Sequence, residues 1–92
     1  LGAIRQVRAV YLQDWLADAS VPASWRTSKK ACGSGAHGDL NAHLVDLTRA
    51  LTGLQFESVC GVQQTFTKQR PHGRGGIAKV DVDDAFLFLA RF

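Results

Sequence analysis

Covalent cross-links are scarce in this sequence. It has two cysteines, Cys32 and Cys60, and their spacing matches no recognisable motif. Cys32 lies in a polar stretch rich in glycine and serine, whereas Cys60 lies in a run that alternates with apolar residues. We therefore expect both to be reduced thiols in a cytoplasmic protein, with Cys60 as a small side chain of the core.

Long apolar runs and methionine are missing as well. No stretch approaches the ~20 apolar residues that a membrane-spanning helix needs, so no membrane partner is predicted. Arg5 and Arg8 interrupt residues 1–12, and no signal peptide is expected there. The chain contains no methionine and ends on the apolar run 87–92 without a turn or cap. These features predict a piece of a longer protein, a single partial domain over residues 1–92.

Positive charge exceeds negative charge only slightly. Much of the net charge of +3 lies in two segments, 26–30 and 68–74. Such loops could touch phosphate, although solvated loops of a slightly basic protein look the same. Neither aromatic interleaving nor a helix-turn-helix pattern accompanies them. Nucleic acid binding is therefore the weakest hypothesis, and no nucleic acid partner is predicted.

What the sequence does contain is one small globular domain. Its 92 residues are 46% hydrophobic and 21% charged, and a core of this size is marginal without help from a partner surface. The patterns predict strands over 4–12, 56–68 and 85–92 and a helix over 39–52. They also predict a short helical turn over 13–19, loops over 26–38 and 69–78, a short extended segment over 79–82 and a turn at Asp83-Asp84.

The helix over 39–52 has the clearest pattern. Leucines form one stripe along it, at positions 40, 44, 47 and 51, and Gly53 stands where a left-handed C-cap belongs. Successive strands without intervening helices favour antiparallel pairing. The predicted class is thus α+β, an open and mainly antiparallel sheet with one main helix packed on one face. The other face of the 56–68 strand is then bare, and we expect it to dock on another copy or a further domain.

Three polar residues of this helix carry the predicted chemistry. Asp39, His43 and Asp46 follow at i, i+4 and i+7, beside the leucine stripe. His43 could act as a general acid or base, and Asp39 could orient its ring and bind a substrate hydroxyl. Simpler interpretations remain open: Asp39 as an N-cap, His43 as a structural residue, and Asp46 paired with Arg49. The three could also ligate a metal, but no metal site is predicted because no second histidine or cysteine stands at motif spacing.

Several runs in this order resemble the second domain of the Gfo/Idh/MocA oxidoreductases. They are Tyr11-Leu12-Gln13-Asp14-Trp15, Trp25-Arg26, the stretch 33–47 with Gly38-Asp39 and His43, Thr65 to Pro71, and Val82-Asp83-Asp84-Ala85. The resemblance implies a glyceraldehyde-3-phosphate-dehydrogenase-like C-terminal domain, here incomplete, that supplies a substrate wall and an oligomer interface.

The resemblance also implies functional roles. In the family's motif, the positions of Asp39 and His43 line the substrate site, and the histidine is the acid/base for oxidising a sugar or polyol hydroxyl. Arg26 and Trp25 lie in the substrate-side loop and are expected to contact substrate, whereas Asp46 is expected to be structural. Asn41 stands where the family commonly has glycine.

The family's nucleotide-binding motif and the segment whose lysine completes its catalytic set are both absent from this sequence. It has no Gly-x-Gly-x-x-Gly run after a strand and no Glu-Lys-Pro segment, so no cofactor site is expected in this chain. NAD or NADP would bind a Rossmann domain of the parent protein. The expected function is therefore that of the substrate-binding and oligomerisation domain of an NAD(P)-dependent oxidoreductase that acts on a sugar, polyol or related hydroxyl compound. The alternative is a free-standing dimerisation or binding module without catalysis.

Overall fold

The fold combines short helices with antiparallel strands, which confirms the α+β class. The structure is a computed structural model that describes residues 2–92. Its helical elements are a 3₁₀ turn Trp25–Thr27, helix α1 Lys29–Cys32, a π-helical turn His37–Asn41 and helix α2 Ala42–Thr52; its strands are β1 Ser58–Gln64, β2 Gln69–Pro71, β3 Ile77–Lys79 and β4 Ala85–Arg91.

Helix α2 ends where the sequence predicts. Gly53 adopts φ 70° and ψ 1°, and its N–H donates to the Arg49 carbonyl at 2.8 Å. The start differs, because the Asp39 N–H already donates to the Gly35 carbonyl at 3.1 Å. Asp39 therefore lies inside the π-helical turn, and its side chain does not cap the helix. The leucine stripe is half-buried at Leu40 and exposed at its far end.

Two antiparallel pairs make up the sheet structure. Strands β1 and β4 pair from Ser58 opposite Arg91 to Gln64 opposite Ala85. Strands β2 and β3 form a separate two-stranded ladder. The predicted loop over 69–78 is thus wrong, because Gly75 and Gly76 take φ 95° and 80° and close a tight hairpin turn.

The segment before the 3₁₀ turn does not form the predicted strand. Residues 2–13 have no regular secondary structure. A strand requires a hydrogen-bonded neighbour. Within the described range 2–92, β1 pairs with β4 and β2 with β3, and neither pair takes up this segment. Its apolar side chains are largely exposed, with Leu12 84% accessible.

Residues 26–38 are also more regular than the loop the sequence predicts. A capping box starts the 3₁₀ turn: Ser24 Oγ accepts from the Arg26 N–H at 3.2 Å, and Thr27 Oγ1 accepts from the Ser24 N–H at 3.2 Å. The cysteines remain free in the structure. Cys60 is exposed on β1, so its predicted place in the core is wrong, since no element of the described chain covers this face of the strand.

The buried interior is small and polar. Val80 and Val82 are the buried hydrophobic residues of the described chain, each 7% exposed. Arg70 is 3% exposed, and its guanidinium donates to the carbonyls of Leu16, Asp18 and Val21 at 2.5–3.2 Å. These bonds hold the 16–21 loop against β2.

Carboxylates of the segment Val80–Asp84 connect distant parts of the chain. Asp81 Oδ1 accepts from the Lys29 N–H at 2.7 Å at the start of α1. Asp83 accepts from the N–H groups of Gly35 and His37 at 3.0 and 2.6 Å. Asp84 accepts from the N–H groups of Phe66 and Thr67, each at 2.9 Å. The predicted turn at Asp83-Asp84 is therefore also the anchor of the helical half of the domain.

Candidate substrate cleft

A cleft of about 330 Å³ lies between the helical turns and the segment Val80–Asp84. Its volume is at the lower end of the range for small-molecule sites, about 300–1,000 Å³. Trp25, Arg26 and Asp39, three of the four predicted site residues, line it together with Trp15 and Gln13. The sequence places these residues in separate elements, and the structure brings them to one wall.

Arg26 and Asp39 form an ion pair at this wall. Arg26 Nη1 lies 2.9 Å from Asp39 Oδ2, and the two side chains are 42% and 45% exposed. The guanidinium carbon also lies 4.7 Å from the centroid of the Trp25 ring and 5.8 Å from that of Trp15. Both distances are within cation–π range. Arg26 is thus fixed by one carboxylate and two indoles, although each contact is partly open to solvent.

Close backbone approaches position Asp39. A Cβ added at Gly35 would stand 1.8 Å from the Asp83 carbonyl oxygen, and one added at Gly38 would stand 1.8 Å from Ser34 Oγ. The Ala36 N–H donates to the same Asp83 carbonyl at 2.9 Å. Gly35 therefore allows the start of the π-helical turn to sit against the segment Val80–Asp84, and Gly38 leaves room for the Ser34 side chain. A π-helical turn of this kind is frequent at functional sites.

A polar chain of side chains leads out of the cleft. Trp15 Nε1 donates to Gln13 Oε1 at 2.9 Å, and Gln13 Nε2 donates to the Tyr11 hydroxyl at 3.1 Å. The Tyr11 ring then lies 6.4 Å from the His43 ring. Sequence reasoning did not select Gln13 or Trp15 as site residues. The available signal was the run 11–15, in which Tyr11, Gln13 and Trp15 stand at every second position.

His43 itself lies outside the cleft. It is exposed, and no hydrogen bond joins it to Asp39 within the described chain, so the predicted orientation of its ring by this carboxylate is not seen. Asp39 instead binds Arg26. No ion pair between Asp46 and Arg49 is found among residues 2–92. No group of three histidine, cysteine or acidic side chains in that range could hold a metal ion.

A second, more open groove adjoins the cleft. It has a volume of about 600 Å³ and lies between residues 5–13, the helix and β4. Four residues line both cavities: Gln13, Ala36, Leu40 and Asp84. His37 stacks on Phe86 of β4 with ring centroids 3.8 Å apart, which joins the π-helical turn to the sheet.

None of the helices described for residues 2–92 is long and apolar enough to cross a membrane.

Fold and cleft define a class: an α+β domain whose helical turns carry the polar wall of a small cleft. The sequence profile of the GFO/IDH/MocA C-terminal domain matches residues 1–92. The chain belongs to the GFO/IDH/MocA family and corresponds to this C-terminal domain.

Relatives of known structure or activity support this membership. The levoglucosan dehydrogenase of Pseudarthrobacter phenanthrenivorans is 39% identical over 105 aligned positions, which include 100% of this chain and 27% of that protein. The crystal structure of an oxidoreductase domain protein from Kribbella flavida is 48% identical, with a TM-score of 0.81 over 87% of this chain and 23% of that one. A levoglucosan dehydrogenase in complex with NADH and L-sorbose is 45% identical, with a TM-score of 0.83 over 89% and 22%. The chain thus spans about a quarter of these relatives' length.

Proposed function

We propose that this chain is the substrate-side domain of an NAD-dependent dehydrogenase that oxidises a hydroxyl group of a sugar or related compound. The observation that carries this proposal is the wall formed by Trp25, Arg26 and Asp39, in a family whose relatives include a levoglucosan dehydrogenase with bound NADH. Asp39 Oδ1 can accept a hydrogen bond from one sugar hydroxyl, and the remaining Arg26 N–H groups can donate to a neighbouring hydroxyl. The indoles of Trp15 and Trp25 add apolar surface for the ring carbons.

His43 is the proposed proton acceptor. It stands one helical turn after Asp39, and its ring lies 6.4 Å from the ring of Tyr11, whose hydroxyl accepts from Gln13 beside the cleft. The His43 imidazole would accept the proton of a substrate hydroxyl that extends from the cleft to it. NAD would bind a separate nucleotide-binding domain of the whole protein, where it supplies the hydride acceptor.

The decisive experiment is an assay of the whole protein that carries this chain. We expect it to reduce NAD in the presence of levoglucosan or a related uncharged sugar, measured by the appearance of NADH. A protein that reduces neither NAD nor NADP with any sugar or polyol would contradict the proposed function.

Arg26→Ala tests the proposed substrate wall. We expect KM to rise about 10–100-fold with a smaller change in kcat, because a charged hydrogen bond to the bound substrate is lost and contributes about 1.5–3 kcal/mol. Initial rates over a range of sugar concentrations measure both constants. Arg49→Ala is the matched control, since Arg49 lies on α2 but lines neither cavity. An unchanged KM in Arg26→Ala would remove this residue from the site.

We also propose that the outer face of the β1–β4 pair binds a second copy of the protein. Cys60 and Leu89, and likewise Val62 and Leu87, are opposite one another in the register and share this face. Val62, Leu87 and Leu89 are 62%, 67% and 82% exposed. Such a contiguous apolar surface is costly in water, and the flat sheet can meet its own equivalent across a two-fold axis.

Leu87→Asp tests this interface. We expect the whole protein to change from an oligomer to a monomer in light scattering, because a buried unpaired carboxylate at a two-fold interface is strongly unfavourable. Thiol labelling of Cys60 should become faster in the variant, since the same face is uncovered. Glu57→Asp, at an exposed position outside both cavities, is the control. A wild-type protein that is monomeric at high concentration contradicts the proposal.

A further inference from the structure

The charged groups that line the cleft are already bonded within the domain. Two guanidinium groups and three carboxylates line it, those of Arg26, Arg70, Asp39, Asp83 and Asp84, which leaves an excess of one negative charge. Arg70 is buried and uses its guanidinium on three backbone carbonyls. Asp83 and Asp84 accept from backbone N–H groups.

Arg26 is therefore the one cation of the cleft lining in residues 2–92 that is exposed enough to meet a ligand. Its Nη1 is 2.9 Å from Asp39 Oδ2. An anionic ligand at Arg26 would stand beside this carboxylate. Like charges a few ångströms apart repel one another, and partial burial increases the repulsion energy. An uncharged hydroxyl group meets no such repulsion, because it can donate to Asp39 and accept from Arg26.

We infer that the cleft selects uncharged ring compounds with neighbouring hydroxyl groups and rejects sugar phosphates and sugar acids, and that the Asp39 carboxylate is the source of this selectivity. The inference rests on the proposed function and further specifies that the substrate is uncharged. The exposed indoles of Trp15 and Trp25, 45% and 60% accessible, contribute apolar contact that is indifferent to charge. Selectivity is then an electrostatic property of the Arg26–Asp39 pair.

The test compares rings that differ by one anionic group. For the whole protein with NAD, kcat/KM is measured for levoglucosan, D-glucose, glucose 6-phosphate and glucuronate. We expect at least about 100-fold lower values for the two anions than for the better uncharged sugar, because a desolvated like charge is strongly unfavourable in a partly buried site. Comparable values for an anion would overturn the inference while the oxidoreductase function stands. No turnover of any of the four compounds would count against the proposed function itself.

Asp39→Asn assigns the effect to its source. The ratio of kcat/KM for the anion to kcat/KM for the uncharged sugar should rise about tenfold, since one negative charge is removed beside Arg26. This ratio is insensitive to a general loss of activity. Arg26→Gln should leave the ratio at or below the wild-type value, and Glu57→Gln, which removes the same charge outside both cavities, should not change it. An unchanged ratio in Asp39→Asn would overturn the assignment to this carboxylate.

Discussion

His43→Ala is expected to lower kcat of the whole protein in the proposed dehydrogenase reaction by about 10²–10⁴-fold, the usual contribution of a general acid or base. The hydroxyl proton must leave the substrate as the hydride departs, and without a positioned base it must go to water. Because His43 follows the cleft-lining Asp39 by one helical turn, its loss should affect kcat far more than KM.

His72→Ala is the matched control for this experiment. His72 is exposed in the hairpin turn after β2 and lines neither cavity. Steady-state kinetics with a saturating sugar measure the effect, and circular dichroism verifies that both variants are folded. A His43→Ala enzyme that retains kcat within about threefold of wild type would exclude this residue as the base.

The helix and its end could be predicted from the sequence because their causes are local. The leucine period indicates the helix, and Gly53 supplies the left-handed residue that follows it. The antiparallel sense of the pairing was also predictable, whereas the choice of β4 as the partner of β1, across β2 and β3, was not. Glycine is compatible with both a flexible loop and a tight turn, and here Gly75 and Gly76 close a tight hairpin.

The contacts that build the cleft could not be predicted because they join distant positions. Asp83 meets Gly35 and His37 across 48 and 46 positions, and Asp81 meets Lys29 across 52. No periodic pattern in the sequence indicates which residues form such long-range hydrogen bonds. The sequence pattern could place Asp39 on the helix, but the choice between Arg26 and His43 as its partner depends on how residues 25–38 fold back.

Strand formation over residues 4–12 has the same dependence on distant partners. The alternation of its side chains is compatible with a strand, yet backbone N–H and C=O groups need a neighbouring strand to pair with. Strands β1 to β4 are already paired among themselves within the described part of the chain. The local sequence pattern thus indicates only a tendency to be extended, and a strand forms only where a neighbouring strand supplies backbone hydrogen bonds.

Asp83→Ala is expected to lower the free energy of unfolding by about 3–5 kcal/mol, a large loss for a single substitution. The carboxylate is 8% exposed and accepts from the N–H groups of Gly35 and His37, so its removal leaves two donors unsatisfied in a part-buried place. The π-helical turn that carries Asp39 would lose its anchor. Hydrogen exchange of the whole protein should show faster exchange over 35–41, with denaturant unfolding as the global measure.

Asp81→Ala is the control, with a loss of about 1 kcal/mol, because Asp81 is exposed and accepts a single bond from the Lys29 N–H. Equal stability of the two variants would show that Asp83 does not anchor the cleft.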